Sequence, residues 1–336
     1  MKHHFGKHLF GLLLLTLIGV GCAVDDKTVI QQANDTHLQL EAAVITDRQL
    51  EEYVQKIGDR MVAEALALAQ SGYEEDRVYK QDPGWMFEGI EFHLVNSDTL
   101  NAFTTGGKHV YLYSELFTTS KTEDEFAAVV GHEFAHIFGR HVSNGMQRQY
   151  GIMGAALAAG VAGYALGGDN AEEVAMLAAS GTMVGGQFIG AGFSRGDEDE
   201  ADKFGFKFYV HAGYDPDLFP GFFQQMIEKG YDTSDPMASH PQLSKRVENA
   251  RRRAAEWRAQ NPDWQRYRRP NIATPSQFAA FQARAKQVGK NMPSDKTLET
   301  AKLMLAAFPS CVAPMDQKSQ VEARKKVGAI LEQQAH

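Results

Sequence analysis

Apolar residues recur at three- and four-residue spacing along most of the chain, the period of a single buried helix face. Over 47–71 the series Leu50, Tyr53, Val54, Ile57, Met61, Val62, Ala65, Leu66 and Leu68 predicts a long amphipathic helix stopped by Gly72. Phe126, Val129, Val130, Ile137 and Phe138 predict a second, opened by Thr122 with Glu125 three residues on. Ala201, Phe204 and Phe208 mark a third over 197–210, ended by HAGYDP from His211. One more helix runs to Lys229, another carries Val247 and Ala250, and two follow in 276–288 and 294–307. Strand-like alternation appears only as IEFHLV at 90–95 and HVYLYS at 109–114, joined through the turn Gly106-Gly107. The pattern predicts an α+β fold, mainly helical, with a small sheet. Its second strand (His109, Val110, Tyr111, Leu112, Tyr113) is expected at an exposed edge, where it either hydrogen-bonds an extended substrate or is purely structural.

The two ends and the middle read differently. Lys2 and Lys7 precede an apolar run, 9–20, that closes in Gly19-Val20-Gly21-Cys22, which makes 1–21 a signal peptide rather than a membrane span. The small residues before Cys22 resemble the lipobox of bacterial lipoproteins, with Gly19 where Leu is usual. That resemblance implies a lipid on Cys22, plain secretion being the alternative, and it leaves Cys311 without a partner in the chain. The polar 22–37 reads as a tether. Two Gly/Ala-rich stretches, 152–168 and 174–193, flank DNAEE. They read as close-packed helices joining two site helices, in preference to a membrane hairpin, because they are poor in Leu, Ile and Phe. A role beside the membrane or over the cleft stays open. Residues 261–336 form a helical C-terminal extension without a tandem repeat.

The chemistry sits on the second helix. VVGHEFAHIFGRH, from Val129 to His141, places His132 and His136 one turn apart on one face, with Glu133 beside the first. Two imidazoles so spaced close on one metal ion, and the carboxylate reaches a water bound there. The HExxHxxGxxH pattern takes its third ligand from a His six residues past the second. This chain misses it by one: Gly139 is in place, but the next His is His141 and Val142 holds the required position. The alternative is a Glu from another helix, and GDEDEAD, ending at Asp202, offers candidates; Glu198 and Asp202 share a face there.

Four elements in order, NAFTTGGKHVYLY, HEFAHIFGRH, FSRGDEDEAD and SHPQLSKR, resemble the HtpX and CAAX-type zinc peptidase family, and most closely its soluble periplasmic branch typified by LoiP and BepA. They cover residues 90–246. The resemblance implies a zincin-like zinc metallopeptidase domain, 38–260, holding one Zn2+ per chain. It assigns His132, His136 and Glu198 as zinc ligands, choosing Glu198 over Glu200, with Glu133 as general base and Asp202 behind a ligand His. It also brings His240 and Arg246 to the active site, His240 as oxyanion donor or as a plug on the zinc's fourth position.

Together these features imply a lipid-anchored endopeptidase of the periplasm, on the outer membrane since Ala23 follows the Cys, acting on misfolded or misassembled envelope proteins. A chaperone that holds unfolded segments, with weak or gated peptidase activity, is the alternative. Composition changes this little, except that a formal charge of -8 without a dense basic block argues against nucleic-acid binding. Oligomeric state is not legible.

Overall fold

A computed structural model of the chain describes residues 26–71, 87–148, 193–232, 242–308, 322–323 and 325–327. The signal peptide, Cys22, the Gly/Ala-rich stretches up to residue 192 and His240 lie outside them.

The first finding departs from expectation. Residues 26–37, read as a tether, belong to helix α1, Asp26–Leu40, which buries Val29, Ala33, Thr36 and Leu40. Two of these four are small or polar, so a composition reading sees only a hydrophilic segment. The helix is tied down at its start: Arg140 donates twice to the Asp26 carboxylate, at 3.0 and 2.6 Å.

Helix α2, Arg48–Gln70, follows the predicted apolar series and is capped by the Asp47 side chain, which accepts from the Leu50 amide. The sheet comprises β1 (Glu91–Val95), β2 (Ala102–Thr104) and β3 (His109–Tyr113). Its order is β1-β3-β2, with β1 parallel and β2 antiparallel to β3. This corrects the expected hairpin and edge. The Gly106-Gly107 turn joins β2 to β3, and His109 to Tyr113 form the central strand, every residue buried. Its backbone is taken by ladders on both sides, so it cannot add a substrate strand. A three-residue strand has too few positions to show alternation, which is why β2 was missed. The outer edge of β1 is covered as well. Gln55 of α2 donates to the Ile90 carbonyl and accepts from the Phe92 amide, while Ile45 donates to Leu94 and Asn96 to Ala43.

After a short helix α3 (Ser114–Thr119) comes α4 (Glu123–Phe138), capped by Thr122, whose hydroxyl accepts from the Glu125 amide. Every residue of α4 is buried, so it runs through the middle of the molecule. Residues 141–148 are again helical. Helix α5 (Arg195–His211) starts on a reciprocal capping box between Ser194 and Asp197, and α4 and α5 are the most extensively packed helix pair. Asp197 is the second half of that cap.

Helices α6 (Gly221–Glu228) and α7 (Leu243–Gln260) close the far side of α4 and α5. Helices α8 (Pro275–Asn291) and α9 (Lys296–Ala307) make the C-terminal extension a cover packed on the core. Phe308 stacks on Phe103 at 4.0 Å, Phe281 on Tyr53 at 4.5 Å, and the Tyr113 hydroxyl donates to the Leu305 carbonyl at 2.6 Å. Buried Glu123, the first residue of α4, accepts from the amides of Ile272 and Ala273 and from the hydroxyls of Tyr53 and Tyr214. One carboxylate thus binds α2, α4, α5's exit and the extension together, at a helix start where the macrodipole favours its charge. Among the described residues no helix is long and apolar enough to cross a membrane.

Candidate metal centre

The site forms where α4 and α5 cross, and the crossing is close because glycines meet there. A Cβ on Gly205 would lie 3.0 Å from the His132 backbone, and one on Gly131 would lie 3.2 Å from the Gly205 carbonyl oxygen. Glu198, about two turns along α5 from Gly205, is thereby brought to the His face of α4.

His132, His136 and Glu198 are fully buried, and their ligand atoms lie within 4.8 Å of one another. His132 Nε2 is 3.2 Å from His136 Nε2, Glu198 Oε2 is 3.5 Å from His132 Nε2, and Glu198 Oε1 is 3.8 Å from His136 Nε2. Ligand atoms at zinc bond lengths on tetrahedral angles stand roughly 3.4 Å apart. The spacing and the donor chemistry of this set fit a single zinc-class ion, and Glu133 lies fully buried beside His132 on the same helix.

Each ligand His has its own outer partner. His132 Nδ1 donates to Asp202 Oδ1 at 2.9 Å, and Arg246 grips the same carboxylate with Nε at 2.9 Å and Nη2 at 2.8 Å. Arg246 Nη1 is 3.7 Å from Glu198 Oε2, and the guanidinium lies 4.0 Å above the Phe223 ring. Burial would raise the Asp202 carboxyl, but Arg246 and the His132 hydrogen bond hold it down at about 2. Burial and Arg246 push His132 down, yet Asp202 and Glu198 outweigh them and lift the imidazole to about 9. His136 goes the opposite way, lowered by burial and by His132 beside it.

His136 Nδ1 lies 2.9 Å from His141 Nδ1, and His141 Nε2 donates to Glu200 Oε2 at 3.1 Å. With that proton on Nε2, His141 accepts at Nδ1 from His136 and leaves His136 Nε2 facing the metal position. The chain reaches this arrangement through its helix end. Gly139 caps α4, Arg140 adopts φ 55, and the reversal lays His141 against His136. A Cβ on Gly139 would sit 2.2 Å from the His141 ring, so the glycine is the space that the imidazole occupies. Phe193 covers the other side of His136, stacked at 3.7 Å.

Of the residues singled out in the sequence, the structure brings His132, Glu133, His136, Glu198, Asp202 and Arg246 together. Arg246 stands at the site as expected, and both sides of its guanidinium are engaged by Asp202 and Glu198, so it supports the ligands. His240 lies outside the described residues, and the five residues of β3 form no edge. Sequence reasoning missed the His141–Glu200 pair and Phe193. The one available signal was His141 itself, a single position short of the third-His pattern.

A helix carrying HExxH, a second helix delivering a carboxylate and a small sheet beside them define a zincin-like metallopeptidase domain. Comparison gives the family: residues 48–254 match peptidase family M48, and the chain belongs to it. It is 29% identical over 242 residues to the β-barrel assembly-enhancing protease of Yersinia pestis, covering 71% of this chain and 46% of that protein. It is 26% identical to metalloprotease LoiP of Escherichia coli over 166 residues, 49% of this chain and 62% of LoiP. The mitochondrial metalloendopeptidase OMA1 of Saccharomyces cerevisiae is 28% identical over 197 residues, 55% of this chain and 52% of OMA1. The chain spans about half the length of the relatives it matches.

Proposed function

We propose that this protein is a zinc-dependent endopeptidase of the bacterial cell envelope, cutting peptide bonds of misfolded or misassembled envelope proteins. The observation that carries this reading is the convergence of His132, His136 and Glu198 within 4.8 Å, with Glu133 on the same helix. Two imidazoles and one carboxylate are a donor set for zinc, and three protein ligands leave a fourth position open, as catalytic sites do. When bound, the zinc ion supplies Lewis acidity, polarising the scissile carbonyl and making a water more acidic.

The remaining work belongs to side chains. Glu133 takes a proton from the attacking water as the water oxygen bonds to the carbonyl carbon. It delivers that proton to the amide nitrogen as the C–N bond breaks, releasing an amine and a carboxylate. Asp202 with Arg246, and His141 with Glu200, hold the two imidazoles in orientation. His240 is assigned to the open side of the centre as a plug that leaves before water enters, so His240→Ala raises turnover. The outer strand beside β3 is β2, whose three residues are buried and which packs against α4. The alternative, a chaperone holding unfolded segments with weak or gated peptidase activity, drew on an exposed β3 edge, which this sheet does not have, and on the Gly/Ala-rich hairpin, which lies outside the described residues.

Placement in the periplasm, with a lipid on Cys22 and sorting to the outer membrane, rests on the N-terminal sequence and on the name of the Yersinia relative. Cys22→Ser then moves the protein to the soluble fraction or leaves it unprocessed. Activity is tested with casein: turnover is lost on chelation and returns when Zn2+ is restored. A chelated protein that cuts as fast as the untreated one overturns the proposal.

A further inference from the structure

Away from the HExxH helix, the sheet carries a second convergence of metal-binding side chains. Glu91 and His93 stand two residues apart on β1, so both project from one face, and the parallel register sets Glu91 opposite His109 on β3. His93 Nε2 is 3.0 Å from His109 Nδ1, and Glu91 Oε2 lies 3.5 Å from the first and 3.4 Å from the second. These three separations bracket the roughly 3.4 Å edge of a tetrahedral zinc site. Helix α1 lies over the same face and adds His37. The ligand atoms of His37, His93 and His109 fall within 4.8 Å of one another.

We propose that Glu91, His93, His109 and His37 form a second metal site, for a borderline divalent cation of the zinc, nickel and copper class. Outer hydrogen bonds set the tautomers for it. His109 Nε2 lies 3.1 Å from Asn34 Oδ1, which turns its Nδ1 lone pair inward. His37 Nδ1 lies 3.1 Å from the Tyr111 hydroxyl, which frees its Nε2. Such partners recur behind ligand histidines. His37 is stacked on His109 at 4.2 Å and turns out of that stack to bind.

Four protein ligands complete a tetrahedron and leave no place for water, so this site is structural. It clips α1 to the sheet, joining three elements through one ion. An all-oxygen cation such as Ca2+ is disfavoured by the nitrogen donors.

The test is Co2+ titration of the untagged, metal-stripped full chain, read by visible absorption and by bound metal after dialysis. Wild type is expected to bind one equivalent more than His93→Ala or Glu91→Ala. A His132→Ala/His136→Ala double variant is expected to keep one equivalent with a four-coordinate spectrum. The Glu91 carboxylate is more than half exposed, so Glu91→Ala reports on binding even if His93→Ala does not fold. Equal stoichiometry in wild type and Glu91→Ala, or no bound Co2+ in the double variant, overturns the proposal. Neither result bears on the catalytic centre, whose equivalent is held by His132, His136 and Glu198.

Discussion

Nδ1 of His136 lies 2.9 Å from Nδ1 of His141, whose far nitrogen is held by Glu200 3.1 Å away. A residue that fails as a third ligand is therefore built in behind the second. His141→Ala and Glu200→Gln are expected to weaken metal binding by about 10- to 100-fold, His141→Ala more strongly. Competition with a calibrated chelator measures this. Unchanged affinity in both would reduce the pair to packing.

Gly205 is expected to tolerate no side chain. Its Cβ would meet the His132 backbone at 3.0 Å, and backbone cannot rotate aside as a flexible side chain can. Gly205→Ala should cost about 1–3 kcal/mol in denaturant unfolding and should lower metal content, because parting α4 from α5 parts Glu198 from the histidines. A substitution neutral in both measurements would contradict the crossing described above.

How far these contacts could be read beforehand depends on their range along the chain. His132, Glu133 and His136 were legible because helical spacing alone makes them neighbours, and the Thr122 start was legible because a cap acts over three residues. The choice of Glu198 needed a resemblance, since spacing offers Glu200 almost as readily; the structure separates them by giving Glu200 to His141. The order of the sheet was hidden because β2 is three residues long and the β1–β3 pairing is parallel. Helix α1 was hidden because small and polar residues, Ala33 and Thr36, do half of its burying. The role of Gly139 was unreadable, since only the folded-back imidazole shows what the missing Cβ makes room for.

Arg246 is the counter-charge for two buried carboxylates, Asp202 and Glu198. Arg246→Leu strands them, and breaking such a buried pair costs about 3–5 kcal/mol. Arg246→Lys keeps the charge but not the two-pronged grip, so it should fall between wild type and Arg246→Leu in both unfolding midpoint and metal content. A Lys variant matching wild type would show that charge alone matters.

Glu123 is expected to be among the most sensitive positions outside the metal set. Glu123→Ala leaves two tyrosine hydroxyls and two backbone amides without their acceptor, and each such buried donor costs about 1–3 kcal/mol. Loss of at least about 3 kcal/mol is expected from thermal or denaturant unfolding. The chain cut after Gln260, which removes the other half of this joint, should be destabilised for the same reason. A truncated chain of wild-type stability would show the extension to be a separate unit.

The central claim separates holding the metal from using it. Glu198→Ala and Glu133→Gln, purified side by side, are to be assayed for bound zinc and for casein hydrolysis. Glu133→Gln is predicted to retain one zinc at the HExxH centre and lose turnover by at least about 100-fold, since it removes the proton carrier and no ligand. Glu198→Ala is predicted to lose that zinc and turnover together. Full zinc and activity in Glu198→Ala, or undiminished cutting by Glu133→Gln, would contradict the account.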